Sequence, residues 1–407
     1  MKKIGTLLIA ALTIGVIGFG TGCGSSSTSG GNGNVSGTLS SLPAASLSVS
    51  NVGGAAGQVM PYALQGAPTD VSSVVSAGPQ IGILAYVLGN ADRLVVKPQS
   101  FKGVALNALS ELKLAATSGG TCSPSTIVDS STGSNGSGTV DLTLTWTDVK
   151  CVDPSTGNAE TFNGSVSITG NYDSGSGSVS INTSIDLTMG TAFTAGGSVQ
   201  VSVTGSLSEN GNGLVQGTTN ISFATKGSVS LSGSVTNAPS GDACNDTITG
   251  SFSGWEAVDD AFSGSPSQLA FDVDDGNETT ASGTSSGGGS ASLKEGSYSK
   301  ASITIALTSQ TTKTVNGTGT FGAVMTETGT SACGTTVTSS TSYSGKFTAT
   351  LTNLTFDDGS CGGKWPTGGT ITITANKTFS MDFTGQACGC ANVSVNSGTA
   401  SQVCGIQ

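Results

Sequence analysis

Hydrophobic and polar residues alternate with a period of two through most of the chain after residue 120. In the first such stretch, every even position from Val140 to Trp146 is apolar, while the positions between them carry Asp or Thr. Successive side chains of a strand point to opposite faces, so this alternation is typical of antiparallel strands that bury one face. It predicts a mainly β domain over residues 121–407, built as a large antiparallel meander sheet, a half-barrel or a barrel. Similar stretches include 179–189, 199–207, 269–273, 301–307, 347–351, 371–373 and 379–383.

A short repeated unit raises the alternative of a β-helix. Gly-Ser-Val-Ser-Ile begins at Gly164 and Gly177, and variants of it begin at Gly197 and Gly227, so the spacings are 13, 20 and 30 residues. A solenoid needs a constant rung length, and these irregular spacings therefore favour a meander. Only 5% of the residues are aromatic, and no aromatic girdle marks the strand ends, which makes a membrane-spanning barrel the weaker alternative.

Residues 42–120 differ from the rest of the chain in having more Ala and Leu. Two stretches, from Ile81 to Leu88 and from Phe101 to Ala116, place apolar residues at intervals of three and four. This spacing predicts helices with one apolar face. We therefore expect residues 42–120 to form a short helical segment that packs on the sheet.

The N-terminus has the layout of a secretory signal peptide. Lys2 and Lys3 are followed by an uncharged, largely apolar run from Ile4 to Phe19. The run is shorter than the roughly 20 apolar residues that a permanent transmembrane helix needs. Residues 1–22 are therefore interpreted as a signal peptide and not as part of the fold.

Residues 20–23, Gly-Thr-Gly-Cys, resemble the lipobox of bacterial lipoproteins. The resemblance implies that Cys23 becomes the new N-terminus and receives a diacylglyceryl group, so that the protein contacts a membrane through its lipid. Gly20 departs from the family pattern, which usually has Leu or another aliphatic residue at that position.

Residues 23–41 are rich in Gly, Ser and Asn and predict a flexible tether. In the lipoprotein sorting rule that the resemblance brings, Asp directly after the cysteine favours the inner membrane. Gly24 instead implies that the protein is lipid-anchored in the outer membrane.

Cysteine usage points to disulfide bonds. The chain has nine cysteines, and eight remain if Cys23 is lipidated. An even number in an exported chain predicts disulfides more strongly than metal binding or redox exchange. Eight cysteines allow 105 pairings, so counting leaves the connectivity open, although we expect pairs that are local in sequence. The candidates are Cys122, Cys151, Cys244, Cys333, Cys361, Cys388, Cys390 and Cys404.

The segment that begins at Cys361 reads Cys-Gly-Gly-Lys-Trp-Pro-Thr-Gly-Gly, and Phe-Thr-Gly-Gln-Ala-Cys-Gly-Cys follows two alternating stretches. It resembles the closing hairpin of uncharacterised Ser/Thr/Gly-rich bacterial lipoproteins. The resemblance implies a disulfide-clipped hairpin and no activity. The alternation predicts its strands around 371–375 and 379–383, with a short polar turn over 375–378 between them. The partner of Cys361 stays open between Cys388 and Cys390.

Composition excludes several classes of function. The net charge is −11 and no cluster of basic residues is present, so a nucleic-acid partner is not expected. The chain has no histidine, which excludes Ser-His-Asp and Cys-His catalysis in their usual form as well as zinc sites that contain histidine. We expect no cofactor and no catalytic site.

The best candidate metal site is a group of acids between residues 272 and 278. Hard oxygen ligands on a turn suit calcium, but Gly276 does not fall where an EF-hand loop needs its glycine, and Gly283 stands where that loop has glutamate. A solvated turn is the favoured interpretation, with a flexible loop over residues 280–292. The weak candidate ligands are Asp272, Asp274, Asp275 and Glu278.

Two hypotheses of function remain from this sequence. The first is a structural or surface-interaction lipoprotein of the cell envelope, whose hydroxyl-rich sheet meets an unknown surface partner. The second is an envelope carrier that holds an apolar ligand between a curved sheet and the predicted helices. The first is preferred, and the fit of helix against sheet distinguishes the two.

Overall fold

The structure is a computed structural model, and it confirms the mainly β, antiparallel prediction. It describes residues 35–64, 125–134, 137–152, 159–173, 176–193, 196–213, 220–239, 247–265, 267–309, 312–330, 339–357, 359–363 and 365–404.

Sixteen strands form one sheet in the described part of the chain. From β3 onward each strand pairs with the next in sequence, and β1 and β2 both pair with β3, so the topology is a meander. No ladder between described residues joins β1 to β16. The strands are β1 (Thr126–Asp129), β2 (Thr132–Ser134), β3 (Ser137–Val152), β4 (Ala159–Asp173), β5 (Ser178–Ala192), β6 (Ser198–Asn212), β7 (Ile221–Pro239), β8 (Thr247–Ser265), β9 (Gln268–Ser285), β10 (Ser290–Leu307), β11 (Thr312–Thr330), β12 (Ser339–Asp357), β13 (Gly368–Thr374), β14 (Thr378–Asp382), β15 (Cys390–Val395) and β16 (Ser401–Cys404).

Strand register sorts the side chains onto two faces. Phe223, Phe262, Phe271 and Ile303 are in register across β7, β8, β9 and β10, and all four are buried. The ring centroids of the neighbouring phenylalanines lie 5.6 Å apart in both pairs. We call the face that carries these residues the inner face and the opposite one the outer face.

A helix covers part of the inner face. Helix α2 (Val52–Leu64) is the second helix of the described chain, and its buried residues fall at positions 52, 55, 56, 59 and 60. These intervals of three and four give one apolar stripe. The stripe packs in the same core as Phe321 and Phe347, with Ala55 and Ala56 allowing close approach to the strands. Helix α2 lies within residues 42–120 and packs on the sheet, and it precedes both stretches whose spacing predicts helices.

Helix α1 (Val35–Ser41) packs on the outer face, against the buried Tyr298. Close approach depends on glycine, because a Cβ at Gly322 would lie 2.6 Å from Leu42 Cδ1. This corrects the prediction that all of residues 23–41 form a tether. Val35 and Leu39 are four residues apart, so one helical turn buries both against the sheet.

The segment between the two helices crosses the sheet at a free stretch of β12. Strand β13 pairs with β12 only from Thr348 onward, which leaves Lys346 available on that side. Ala45 N donates to Lys346 O at 2.8 Å, and Lys346 N donates to Pro43 O at 2.8 Å. This pairing satisfies backbone groups of β12 that would otherwise form an open edge. Because the paired segment connects the two helices, one helix packs on each face of the sheet.

The predicted flexible loop over residues 280–292 is corrected. Strand β9 continues to Ser285 and β10 starts at Ser290, so only a four-residue turn remains between them. Ser285 N donates to Gly289 O at 2.8 Å, and Gly288 adopts a positive φ of 89° within the turn. Ser, Thr and Gly obscured the alternation here, because small polar residues occupy both faces of the hairpin.

Two disulfides close the C-terminal part, Cys361–Cys388 and Cys390–Cys404. They confirm local pairing for these four cysteines and resolve the partner of Cys361. The predicted strand pair is present as β13 and β14, although β15 and β16 follow it, so it is not the terminal hairpin.

Several predictions fall on parts of the chain that the structure does not describe. The signal peptide, Cys23 and the helices predicted at 81–88 and 101–116 lie outside the described residues, as do Cys122, Cys244 and Cys333. Cys151 lies in β3, but its side chain is not described. Neither described helix is long and apolar enough to cross a membrane.

Candidate functional site

The four acids proposed as weak calcium ligands do not converge. All lie on β9, where Asp272, Asp274 and Glu278 point to the outer face and Asp275 to the inner face. Alternate residues of one strand are about 6.6 Å apart, too far for a shared ion without other ligands. No group of three or more Asp, Glu, Cys or His residues is placed to hold a metal ion in the described part of the chain.

The outer-face acids instead join β9 to β10 and to helix α1. Asp272 accepts a hydrogen bond from Ser302 Oγ at 2.7 Å, and Glu278 accepts one from Tyr298 Oη at 2.7 Å. Asp274 pairs with Lys300 and also accepts from Ser36 Oγ of α1. These contacts give the acids a structural role, and burial together with Glu278 raises the pKa of Tyr298.

A polar groove lies on the outer face over β4–β7, with a volume of about 190 Å³. Most of the side chains that line the groove are serines and threonines, which are small, and Asn182 and Lys226 are among the longer ones. Lys226 also forms an exposed ion pair with Asp259 of β8, a type of contact that solvent screens and that contributes little to stability. We call this feature the outer groove, and its lining includes Ser167, Asn182, Ser184, Ser206, Ser208 and Lys226.

The inner face carries a line of polar residues inside the apolar core. Glu209 of β6 is in register with Thr225 of β7, and Thr225 is in register with Asp260 of β8. Glu209 is 1% exposed and Thr225 is 4% exposed, whereas Asp260 retains more exposure. We call Glu209, Thr225 and Asp260 the inner acid row.

The inner acid row is incompletely hydrogen-bonded. Asp260 Oδ1 accepts the backbone N–H of Asp274 at 3.1 Å. In the described structure, Glu209 Oε1 and Thr225 Oγ1 are buried without any partner. Buried polar atoms are paired in the great majority of cases, because an unpaired one loses its hydration without compensation.

Burial also changes the acidity of the row. It raises the pKa of Glu209 from an ordinary 4.5 to about 7. Burial and the nearby charge of Asp275 raise the pKa of Asp260 to about 8, against the opposing effect of the N–H of Asp274. The two carboxyl groups therefore titrate near neutral pH, which is a property more typical of binding sites than of structural ion pairs.

Sequence reasoning did not select Glu209. The signal was present, because the alternation through Val199, Val201 and Val203 continues to Leu207 and then to Glu209. An acidic residue that points to the inner face of the sheet is buried, unless that part of the inner face is exposed to solvent. The acids of β9, by contrast, are clustered in sequence, and most of them lie on the outer face.

Comparison with protein families, with curated proteins and with solved structures finds no match to this chain. The two polar features of the sheet, the outer groove and the inner acid row, are thus the geometry on which a proposal of function rests.

Proposed function

We propose that the chain is a cell-envelope lipoprotein of structural or surface-interaction type, without catalytic activity, anchored in the outer membrane by a lipid on Cys23. The observation that carries the proposal is the contrast between the faces of the sheet. Helix α2 packs on the inner face, whereas the outer face of β4–β7 presents Asn182, Ser184 and Ser206 to solvent. Such a surface suits contact with a polar partner of the envelope.

The disulfides support a location outside the cytoplasm. Cys361–Cys388 and Cys390–Cys404 join residues near one another at the C-terminal part of the sheet. Disulfides persist in oxidising compartments such as the periplasm and the cell surface, and they are rare in the cytosol. This agrees with export through the signal peptide that residues 1–22 predict.

Cell fractionation tests the anchor. The full chain, expressed in a Gram-negative host, is expected in the outer-membrane fraction, with an acyl mass on its N-terminal peptide. Cys23→Ser should move the protein to the soluble periplasmic fraction, since the lipid is the proposed attachment. Membrane association that persists in Cys23→Ser, without any acyl mass in the wild type, contradicts the proposal.

Cosedimentation with purified peptidoglycan sacculi tests the outer face. Sacculi offer hydroxyl and amide groups that can hydrogen-bond to the lining of the outer groove. Ser206→Tyr fills the groove and should weaken binding about fivefold, the equivalent of one lost hydrogen bond of about 1 kcal/mol. Ser234→Tyr, at an exposed position of β7 outside the groove lining, is the matched control. Absence of binding by the wild type, or equal weakening by both variants, contradicts a role for this groove.

The carrier hypothesis has one observation in its favour. Helix α2 packs with residues of β10, β11 and β13, so it leaves the inner acid row on β6–β8 as a separate feature of the inner face. Among the described residues, two buried polar atoms of this row have no partner, which is unlike a purely structural interior.

A further inference from the structure

Two atoms of the inner acid row lack hydrogen-bond partners. Glu209 Oε1 and Thr225 Oγ1 are both buried and both without a partner in the described structure. Register places these side chains next to each other on the inner face, with Asp260 on the other side of Thr225. No hydrogen bond joins the buried carboxyl oxygen to the buried hydroxyl, so both oxygens have lone pairs that a bound donor group can satisfy.

The spacing of the row defines the size of that group. Adjacent strands are about 4.8 Å apart, so the backbones of Glu209 and Asp260 lie about 10 Å apart with Thr225 between them. Glutamate and aspartate side chains are longer than the threonine between them, so the two carboxyl groups can share a single cationic nitrogen through hydrogen bonds of about 2.8 Å.

The chemistry of the three residues selects the kind of cation. Two carboxyl groups and one hydroxyl offer three acceptor groups, and a primary ammonium group has three N–H donors and no acceptor. Phe223 and Phe262 flank Thr225 and Asp260 two residues along the same face, and aromatic faces attract cations. We propose that Glu209, Thr225 and Asp260 form a binding site for the primary ammonium group of a small amine.

A divalent metal ion fits the row less well. Calcium takes six to eight oxygen ligands, whereas the row supplies three side chains, one of them neutral. One of the oxygens of Asp260 already accepts the N–H of Asp274. An amine needs only the three acceptors that the row provides, and its carbon chain suits the apolar surroundings.

Isothermal titration of the purified mature protein with n-hexylammonium chloride tests the proposal. We expect saturable binding of one equivalent. Hexyltrimethylammonium has the same chain and charge but no N–H donor, and it should bind at least tenfold more weakly. Calcium chloride serves as the metal probe. No saturable binding of hexylammonium, equal binding of the trimethyl compound, or binding of calcium in place of the amine would each overturn the assignment.

Two variants locate the site. Glu209→Gln keeps the size of the side chain but removes its charge, and Thr225→Val removes the hydroxyl with little change of shape. Each should weaken hexylammonium binding about tenfold while the far-ultraviolet circular dichroism spectrum is unchanged. Glu295→Gln, at an exposed position of β10, is the control and should bind as the wild type does. Unchanged affinity in both folded variants refutes the site, whatever the outcome of the fractionation experiments on Cys23.

Discussion

Replacing Glu209 by glutamine should change how the stability of the protein depends on pH. Glu209 is buried in β6, and burial raises its pKa from 4.5 to about 7. Between these two values the folded state holds a proton that the unfolded state has released. The free energy of unfolding therefore falls as pH rises through this window, and the stability present below about pH 4.5 is lost by about pH 7.

The size of the effect follows from the shift. One pKa unit corresponds to about 1.4 kcal/mol, so the rise from 4.5 to about 7 implies an upper bound of about 3 kcal/mol. Between pH 5 and pH 8 the wild type should lose about 2 to 3 kcal/mol through this group, because ionisation in the unfolded state is already under way at pH 5. Glutamine does not titrate and should remove that loss.

Urea unfolding at a series of pH values, in amine-free phosphate and acetate buffers, measures the effect. The difference in unfolding free energy between Glu209→Gln and the wild type should shift in favour of the variant by about 2 kcal/mol from pH 5 to pH 8. Glu295→Gln, at an exposed position, controls for the general loss of a negative charge. Parallel pH curves for the wild type and Glu209→Gln, within about 0.5 kcal/mol, would refute the reasoning.

Three further predictions follow from the fold. Cys361→Ser opens the loop closed by the bond to Cys388 and should destabilise the domain by about 3 to 4 kcal/mol, with new protease cleavage near the C-terminus; unchanged melting and proteolysis would count against it. Gly322→Leu should displace helix α1 at a cost of about 1 to 3 kcal/mol, and hydrogen exchange of residues 35–41 should become faster. Gly190→Ala should have neither effect, because the space where its Cβ would lie is open. Alkylation of the folded mature protein without reductant should label no cysteine, and labelling of two or more would contradict full pairing.

Much of the sheet could be predicted from the sequence. The alternation from Val140 to Trp146 and its successors lies on strands, and the turn between β13 and β14 falls where the polar residues predicted it. The hairpin of β9 and β10 could not be recognised in the same way. Its residues near Ser285 and Ser290 are small and polar on both faces, so they carry no period from which a strand can be recognised.

The candidate site was only partly accessible to sequence reasoning. Asp272, Asp274, Asp275 and Glu278 are conspicuous as a group, but successive residues of a strand point to opposite faces and alternate residues are about 6.6 Å apart, so the four carboxylates do not converge. Glu209 stands alone in sequence and becomes significant only beside Thr225, which register places on the neighbouring strand. Unpaired burial is a property of the assembled sheet and not of either residue.

The sequence by itself determined the fold class, the exclusion of histidine chemistry and the set of cysteines available for pairing, because these depend on local periodicity and on composition. Only the tertiary structure decided that helix α1 packs on the outer face beside Gly322 and that residues 43–45 pair with the free stretch of β12. It also decided that Glu209 Oε1 is buried without a partner among the described residues. The physical reason is that a period of two specifies which side chains share a face, whereas the neighbours across strands and the cover of each face depend on residues far apart in the chain.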